Sequence, residues 1–185
     1  MAEGGERWYL FGAQAVQVWG APRLTADVDV TVQLGVQDFA GFVARMQKKG
    51  FELRVRDVDG FVKKTRVFPF VHRASEIPVD VVLAGPGLEE EFLKRARPVD
   101  LGDVALPVIS PEDLIVTKVL AGRPKDLEDI RGVLRARLET LDLAHIRRLL
   151  QLLQQALGQS DLKPLFEKEL ALIRRGRRKR RRRDG

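Results

Sequence analysis

The sequence predicts an α+β fold, a small mixed β-sheet with flanking helices that is followed by a C-terminal helical part. Two observations support this class. Short runs of β-branched and aromatic residues alternate with helical patterns up to Ile109, and from Ser110 onward the apolar residues keep helical spacing. We therefore predict an α/β core over 1–109, a helical region over 110–173 and a disordered polybasic tail over 174–185.

The elements of the core are predicted from local signals. Trp8 to Phe11 is typical of an apolar strand that enters a glycine turn, and the helix after it ends at Gly20 and Pro22. Asp38 is a candidate N-cap for an amphipathic helix, and Asp59-Gly60 is typical of a hairpin. The predicted core elements are a strand at 8–11, a helix at 13–19, a strand at 27–34, a helix at 38–49, strands at 51–58, 61–68 and 78–83, a helix at 88–95 and a strand at 104–109.

Helical signals dominate the C-terminal region. The segment Ser110-Pro111-Glu112-Asp113 combines an N-cap, a proline at the first helical position and an acidic first turn. The sequence shows no internal repeat, and its one low-complexity segment is the basic tail. The predicted helices are 110–120, 125–137, 142–157 and 161–173.

The composition is that of an ordinary globular protein. Of 185 residues, 44% are hydrophobic and 32% are charged, and no apolar run approaches the ~20 residues that cross a bilayer. The first residues carry acids and glycines where a secretory signal has a basic and then an apolar stretch, so we do not expect export. The absence of cysteine excludes disulfides and thiolate metal sites, and it fits a cytoplasmic location, which we predict.

The net charge of +7 comes from one segment. Nine arginines or lysines lie in 174–183, and without 174–185 the chain has 24 basic and 25 acidic residues. Such a block attracts polyanions with an affinity that falls as salt rises. The tail is therefore either a site for RNA or DNA or a solubilising, nonspecific electrostatic tail.

Two carboxylates separated by one residue are the main chemical signal. In an extended strand Asp27 and Asp29 project to the same side, close enough to reach one hard cation. Val28 and Val30 indicate a buried strand, where an uncompensated acidic pair is costly. We expect a metal or a strong hydrogen-bond network here; the alternative is two ordinary polar strand residues.

The glycine turn lies about fifteen residues before this pair. A glycine at the start of a helix lets the backbone approach a ligand closely, and the free N–H groups and the helix dipole favour a phosphate. Gly12 therefore predicts a phosphate site opposite Asp27 and Asp29. The alternative is a glycine that serves the turn alone.

This ordered set of motifs resembles the nucleotidyltransferase fold of the polymerase-β superfamily. It is most similar to the small prokaryotic AbiEii-like, MenT-related nucleotidyltransferases, some of which are toxins. The resemblance spans roughly 8–135. It is carried by Phe11-Gly12-Ala13, Arg23-x-Thr25-x-Asp27-x-Asp29, Ile77-Pro78-Val79-Asp80-Val81-Val82, Ser110 to Leu114 running on to Lys118, and Lys125 to Ile130.

The resemblance implies a metal-dependent transferase whose catalytic core is 1–109. It would move a nucleoside monophosphate from an NTP to a hydroxyl, with Mg²⁺ or Mn²⁺ held by Asp27, Asp29 and Asp80. Asp80 would be the third carboxylate, completing a second metal site or taking a proton from the acceptor. The alternative for Asp80 is an ion pair with an arginine such as Arg66.

The resemblance also implies contacts to the nucleotide. Lys118 would reach the triphosphate as a compact positive charge, or else be a solvated helix residue. Ala13 stands where the family usually has serine, so one side-chain contact to phosphate is missing. Asp126 and Asp129 could instead be acids in the first turn of a helix, a position that the helix dipole favours. The nucleotide-binding set is Gly12, Ala13, Arg23, Thr25, Lys118 and Asp126.

The partners follow from the same likeness. The acceptor would be tRNA or another RNA held by 174–185, or a protein hydroxyl, and a toxin would have a cognate antitoxin. The alternative function is a noncatalytic nucleotide-binding or partner-binding module with the same fold, and a third is a nucleic-acid-binding protein that acts through its tail. We expect His72 and His145 to be incidental, and Trp8 and Trp19 to be core residues.

Overall fold

The structure is a computed structural model that describes residues 4–100, 102 and 104–181. The chain divides into two compact units. The sheet unit consists of Met1–Gln14 and Leu24–Ser110, and the helical unit consists of Ala15–Arg23 and Pro111–Gly185. Helix α1, Gly12–Trp19, begins in the first unit and continues in the second.

Seven strands of the described chain form one mixed sheet. They are β1 Trp8–Leu10, β2 Val28–Val32, β3 Phe51–Leu53, β4 Val67–His72, β5 Ile77–Leu83, β6 Arg97–Asp100 and β7 Ala105–Val108. The strand order is β3-β4-β5-β2-β1-β7-β6. The β2–β5 and β1–β7 pairs are parallel and the other neighbours are antiparallel. The α+β prediction is confirmed, although β6 was not predicted.

Alternation along β2 gives the sheet two different faces. Val28, Val30 and Val32 point to one face, and Asp29 and Thr31 point to the other. Helices α2, Phe39–Lys48, and α3, Val58–Thr65, contribute side chains to an apolar cluster with the valine face. The buried members of that cluster are Val32, Phe42, Met46, Val62, Phe68, Phe70, Val79, Val81 and Leu83.

Helix α3 replaces the hairpin predicted at Asp59-Gly60. Asp57 is its N-cap, and the Asp57 Oδ1 accepts a hydrogen bond of 3.0 Å from the Gly60 amide. Val58 and Val62 lie one helical turn apart, and Val62 is buried in the apolar cluster. The strand prediction for 51–58 and 61–68 was therefore wrong over most of its length, because an N-cap and helical apolar spacing outweigh the local turn signal.

In the described part of the helical unit, four helices follow the sheet along the chain. They are α5 Pro111–Ala121, α6 Pro124–Arg137, α7 Leu143–Leu157 and α8 Leu162–Arg181, and α4 Leu88–Arg95 precedes them in the sheet unit. Nearly every residue of α5 from Pro111 to Val119 is buried. Since α5 is buried on all sides, its polar side chains must find partners inside the unit.

Helix α8 extends past the predicted helix end at residue 173. It runs to Arg181, and residues 182–185 of the predicted disordered tail lie outside the described residues. Among the residues of this helix whose burial is described, which end at 177, Ile173 is the last buried one. None of the described helices combines the length and the apolarity that a membrane crossing needs.

Candidate active site

Asp29 and Asp80 are direct neighbours across two parallel strands. In the β2–β5 register Asp29 is paired with Asp80, and Val28 and Val30 are paired with Val79 and Val81. Paired residues of adjacent strands project to the same face, so both carboxylates lie on the face opposite the α2–α3 cluster. This neighbour relation follows from the pairing of strands about fifty residues apart in the chain, so no local pattern could predict it.

The glycine turn lies against Asp29. The Phe11 amide donates a hydrogen bond of 3.0 Å to the Asp29 carbonyl. Gly12 has φ +65°, and a Cβ built on it would lie 2.8 Å from the Asp29 carboxyl carbon and closer still to Oδ2. Gly12 is thus required both by its left-handed backbone and by the carboxylate packed on its Cα.

Asp27 lies outside the strand. β2 begins at Val28, and Asp27 is exposed, so the prediction of two acids on one face of a regular strand was wrong for Asp27. The Thr25 hydroxyl donates to Asp27 Oδ1 at 2.6 Å, and Gln14 Nε2 donates to the Asp27 carbonyl. Thr25 therefore fixes the carboxylate and Gln14 fixes its backbone.

Asp80 forms an ion pair with Arg54, not with Arg66. Arg54 follows β3, and its Nε donates a hydrogen bond of 3.0 Å to the Phe70 carbonyl of β4. Its amide donates to the Pro69 carbonyl, and Pro69 is paired with Asp80 in the β4–β5 register. Arg54 thus reaches across β4, and the sequence offers no local signal for it. Arg66 instead donates to the carbonyls of Leu83 and Ala84.

The donor set fits a hard divalent cation by its chemistry. Asp27, Asp29 and Asp80 offer oxygen ligands, which Mg²⁺ and Mn²⁺ prefer. Within the described part of the chain no three acidic, histidine or cysteine side chains are grouped closely enough to hold a metal. Asp80 has a positive partner from the protein itself, Arg54.

Ala13 presents no polar group at the position where a serine was expected. It is buried, and it is the second residue of α1. The N-terminus of α1 can still offer backbone N–H groups. Any hydrogen bond from residue 13 to a phosphate would therefore come from the backbone.

A charged network is buried in the helical unit. Lys118 is only 6% exposed, and its Nζ donates to Asp126 Oδ1 at 3.2 Å and to Asp129 Oδ2 at 2.6 Å. Arg23 Nε donates to Asp129 Oδ1 at 2.8 Å, and Arg123 Nε donates to Asp126 Oδ2 at 2.6 Å. Lys118 is therefore not a solvated helix residue, and Asp126 and Asp129 do more than begin a helix.

The network lowers the pKa of Asp126. Burial by itself would raise this pKa, but the hydrogen bonds from Arg123 and Lys118, with their charges, outweigh burial and hold the pKa below its usual range. Arg123 was missed as a functional candidate. The signal was its position at the N-cap of α6, three residues before Asp126, whose Oδ2 accepts a hydrogen bond of 3.2 Å from the Arg123 amide.

The two histidines have defined partners. His145 is buried, and its Nε2 lies 2.7 Å from Asp113 Oδ1 within the helical unit. His72 Nδ1 lies 2.9 Å from the Ser75 hydroxyl in the sheet unit. Trp8 and Trp19 are partly buried, and the Arg137 guanidinium lies over the Trp19 ring.

The chain belongs to a nucleotidyltransferase family. Residues 40–163 match the family described as "Nucleotidyltransferase of unknown function (DUF6036)". This confirms the prediction of a nucleotidyltransferase-like family. Comparison with curated protein sequences gives no significant match.

Solved structures with the same fold are distant in sequence. An antigenic nucleotidyltransferase-like protein from Paracoccidioides brasiliensis has a TM-score of 0.54 at 16% identity, covering 90% of this chain and 86% of that one. The antibiotic-resistance factor ANT(2")-Ia, in complex with adenylyl-2"-tobramycin, has a TM-score of 0.53 at 14% identity, covering 90% of each chain. The lincosamide antibiotic adenylyltransferase LnuA has a TM-score of 0.50 at 12% identity, covering 71% of this chain and 88% of that one. These similarities establish the nucleotidyltransferase fold.

Proposed function

We propose that the protein transfers a nucleoside monophosphate from an NTP to a hydroxyl acceptor, releasing pyrophosphate. The observation that carries the proposal is the Asp29–Asp80 pair on adjacent parallel strands, with Gly12 packed against Asp29. The family match and the shared fold support the same chemistry. Sequence likeness further suggests the AbiEii/MenT-like branch, in which a toxin role and a cognate antitoxin would follow.

We propose that Asp27 and Asp29 hold Mg²⁺ or Mn²⁺, and that Asp80 joins them when it leaves Arg54. The metal would neutralise the triphosphate and stabilise the charge on the leaving pyrophosphate. Thr25 fixes the Asp27 carboxylate by its hydrogen bond of 2.6 Å. When Asp80 is not paired with Arg54, its carboxylate would take the proton from the acceptor hydroxyl as a general base.

The residues proposed to contact the nucleotide are Gly12, Ala13, Arg23 and Arg123. Gly12 and Ala13 would offer backbone N–H groups to a phosphate. Arg23 and Arg123 have side chains that are 33% and 57% exposed and are oriented by buried carboxylates, an arrangement suited to phosphate recognition. We propose that they, rather than the enclosed Lys118, touch the triphosphate, and that Lys118 and Asp126 hold them in place.

We propose RNA, with tRNA as the leading case, as the acceptor. The tail carries nine basic residues within 174–183 on a body that is otherwise close to neutral. A protein hydroxyl is the alternative. A small-molecule hydroxyl is a further alternative, because LnuA, which shares the fold, is a lincosamide antibiotic adenylyltransferase by name, and ANT(2")-Ia was solved with adenylyl-2"-tobramycin.

The test is transfer of label from each of the four α-labelled NTPs to total RNA with Mg²⁺ or Mn²⁺. Wild type should label RNA, and Asp29→Asn should reduce labelling at least a hundredfold, because it removes one of the proposed metal ligands. Asp59→Asn is the matched control, since Asp59 is an exposed acid of the sheet unit in α3. No labelling by wild type, or equal labelling by Asp29→Asn, would overturn the proposal.

A second candidate is a noncatalytic nucleotide-binding module. It is favoured by Ala13 in place of serine and by the Arg54–Asp80 ion pair, which satisfies the third carboxylate without a metal. Calorimetry with Mg²⁺ and a nonhydrolysable NTP separates the two candidates. Binding without turnover would support the module, and binding with Asp29-dependent turnover would support the enzyme.

A further inference from the structure

Two grooves lie on helices α7 and α8 of the helical unit. The groove along α7 has a volume of about 500 Å³ and is lined by Ala144, Arg147, Arg148, Gln151, Leu152 and Gln155. These positions recur every three or four residues, so they form one stripe of the helix, and all of them except Arg147 are exposed. The groove along α8 has a volume of about 200 Å³ and is lined by Glu167, Leu170, Ala171, Arg174 and Arg175.

An ion pair joins the two grooves. Arg147 lines the first and Glu167 the second, and Arg147 Nε donates to Glu167 Oε1 at 2.6 Å while Nη2 donates to Oε2 at 3.2 Å. The hydrogen bond from Arg147 outweighs burial and, together with the charges of Arg147, Arg174 and Lys163, holds the pKa of Glu167 below its usual range. Glu167 is the one acid among the lining residues that the structure describes, and cations from both helices compensate its charge.

The lining of the two grooves carries an excess of positive charge. It contains four arginines and one glutamate. Arg174 and Arg175 belong to the basic segment at the end of the sequence, whereas Arg147 and Arg148 belong to the part of the chain that is otherwise close to neutral. The positive surface therefore extends from the basic segment onto α7.

The side chains of the α7 groove suit a phosphodiester chain. Arginine donates paired hydrogen bonds to phosphate oxygens. Gln151 and Gln155 lie one helical turn apart on the stripe that includes Arg148, and amides of this kind both donate to phosphates and pair with the 2′-hydroxyl of ribose. An acidic peptide would match the arginines, but it has no ribose hydroxyl for the glutamines.

We propose that the α7–α8 basic face binds the sugar–phosphate backbone of RNA. We define this face by the polar residues Arg147, Arg148, Gln151, Gln155, Arg174 and Arg175. The assignment rests on the proposed function, in which RNA is the acceptor, and it extends the RNA contact from the tail to the folded body. Glu167 limits the affinity, because its carboxylate repels phosphate and occupies the Arg147 guanidinium.

An acid placed in the α7 groove should weaken RNA binding. Gln151→Glu adds one negative charge at an exposed helical position and keeps the size of the side chain. We expect the affinity of the full chain for a labelled tRNA, measured by fluorescence anisotropy at low salt, to fall about fivefold. Gln47→Glu is the matched control, at an exposed glutamine of α2 in the sheet unit, and should change the affinity less than about 1.5-fold.

Removal of the acid between the grooves should have the opposite effect. Glu167→Gln takes away the negative charge and releases Arg147, so we expect tRNA affinity to rise about threefold to fivefold. Glu128→Gln is the control, because Glu128 is also paired with an arginine but lines neither groove. A purely structural role for the Arg147–Glu167 pair would not raise RNA affinity when the pair is broken.

The salt dependence of binding tests the phosphate contact of Arg148. Arg148→Gln should reduce the slope of the logarithm of tRNA affinity against the logarithm of salt concentration by about one. Arg73→Gln, at an exposed arginine of the sheet unit, should leave the slope unchanged. Circular dichroism checks that each variant is folded.

The following outcomes would overturn the assignment. Wild type does not bind tRNA, or Gln151→Glu and Glu167→Gln behave like their controls, or Arg148→Gln keeps the full salt slope. Displacement of tRNA by poly-L-glutamate as effective as displacement by unlabelled tRNA at equal charge would also overturn it, since an acidic protein would then fit the face equally well.

The binding assay contains no NTP, so it separates this face from the proposed transfer reaction. Groove-dependent binding of tRNA with no transfer of label by wild type would uphold the α7–α8 basic face and overturn the proposed function. Transfer of label to RNA with no effect of the groove variants on binding would do the reverse.

Discussion

Asp80 is held by Arg54, and the same Asp80 is the register partner of Asp29. One carboxylate of the candidate site therefore has a protein cation beside it before any metal arrives. A metal bound by Asp80 would compete with the guanidinium for the charge of this carboxylate. This competition between Arg54 and a divalent cation makes the role of Asp80 measurable.

Removal of Arg54 should strengthen metal binding. We expect Arg54→Gln to raise Mn²⁺ affinity by about threefold to tenfold, because the Asp80 charge is no longer compensated by the guanidinium. The measurement is Mn²⁺ titration followed by electron paramagnetic resonance. Arg73→Gln is the control, since Arg73 is an exposed arginine of the same unit paired with Glu52. An unchanged affinity in Arg54→Gln would remove Asp80 from the metal site.

Gly12→Ala should displace Asp29. The left-handed φ alone costs about 1 kcal/mol with a Cβ, and the overlap with the Asp29 carboxylate adds to it. Gly158→Ala isolates the first effect, because Gly158 has φ +64° and open space around its Cα. We expect urea unfolding to show a loss of about 2 kcal/mol or more for Gly12→Ala and about 1 kcal/mol for Gly158→Ala. Equal losses would mean that Asp29 does not constrain position 12.

Lys118→Met should destabilise the protein strongly. It leaves Asp126 and Asp129 buried without the ammonium between them, and breaking a buried ion pair costs about 3–5 kcal/mol. Lys125→Met is the control, because Lys125 is exposed on α6, and we expect a change within about 0.5 kcal/mol. The measurement is the free energy of unfolding in urea. Similar values for the two variants would contradict a structural role for Lys118.

The stabilising contribution of Asp126 should disappear in acid. Its pKa is lowered in the folded state, so the contribution is complete above the unfolded-state value of about 3.8 and is lost as the pH falls through the folded-state value. The difference in unfolding free energy between wild type and Asp126→Asn should therefore be constant from pH 7 to 5 and shrink below pH 4. Urea titrations across pH 3–7 measure it. A difference that grows on acidification would reverse the assigned direction.

Truncation of the tail should affect RNA and spare the nucleotide. Residues 174–176 are exposed and follow Ile173, so removing 174–185 takes away basic charge without removing a buried side chain of the described chain. We expect the RNA affinity to fall more than tenfold at low salt, with a shallower salt dependence, while Mg-NTP affinity stays within twofold. Fluorescence anisotropy with a labelled tRNA measures the first and calorimetry the second. Unchanged RNA binding would exclude the tail as the RNA contact.

Helices and strands were predicted correctly where the local sequence signals agree with the tertiary packing. Helix α4 has the predicted bounds, and α5 begins one residue after its predicted N-cap Ser110. The prediction failed at Asp59-Gly60, where the turn signal is strong. Asp57 instead caps a helix, and Val62 of that helix is buried in the core. Helical apolar spacing there carried more information than the dipeptide.

The candidate site was predictable in its residue types and only partly in its geometry. Asp29 and Gly12 lie as the motif order suggested. The positions of Arg54 beside Asp80 and of Lys118 between two carboxylates depend on pairings of distant segments, for which a single sequence carries no local pattern.

The parallel pairings of the sheet have a consequence for synthesis of the protein. Leu10 pairs with Val108, and Asp29 with Asp80, so the centre of the sheet joins segments that leave the ribosome far apart in time. Contacts of such long sequence separation form slowly and only after both partners are available. The acidic face therefore assembles only when β5 has emerged, and β1 stays without its parallel neighbour until β7 follows. A nascent chain in which β5 has not yet emerged carries Gly12 and Asp29 but not the assembled acidic face.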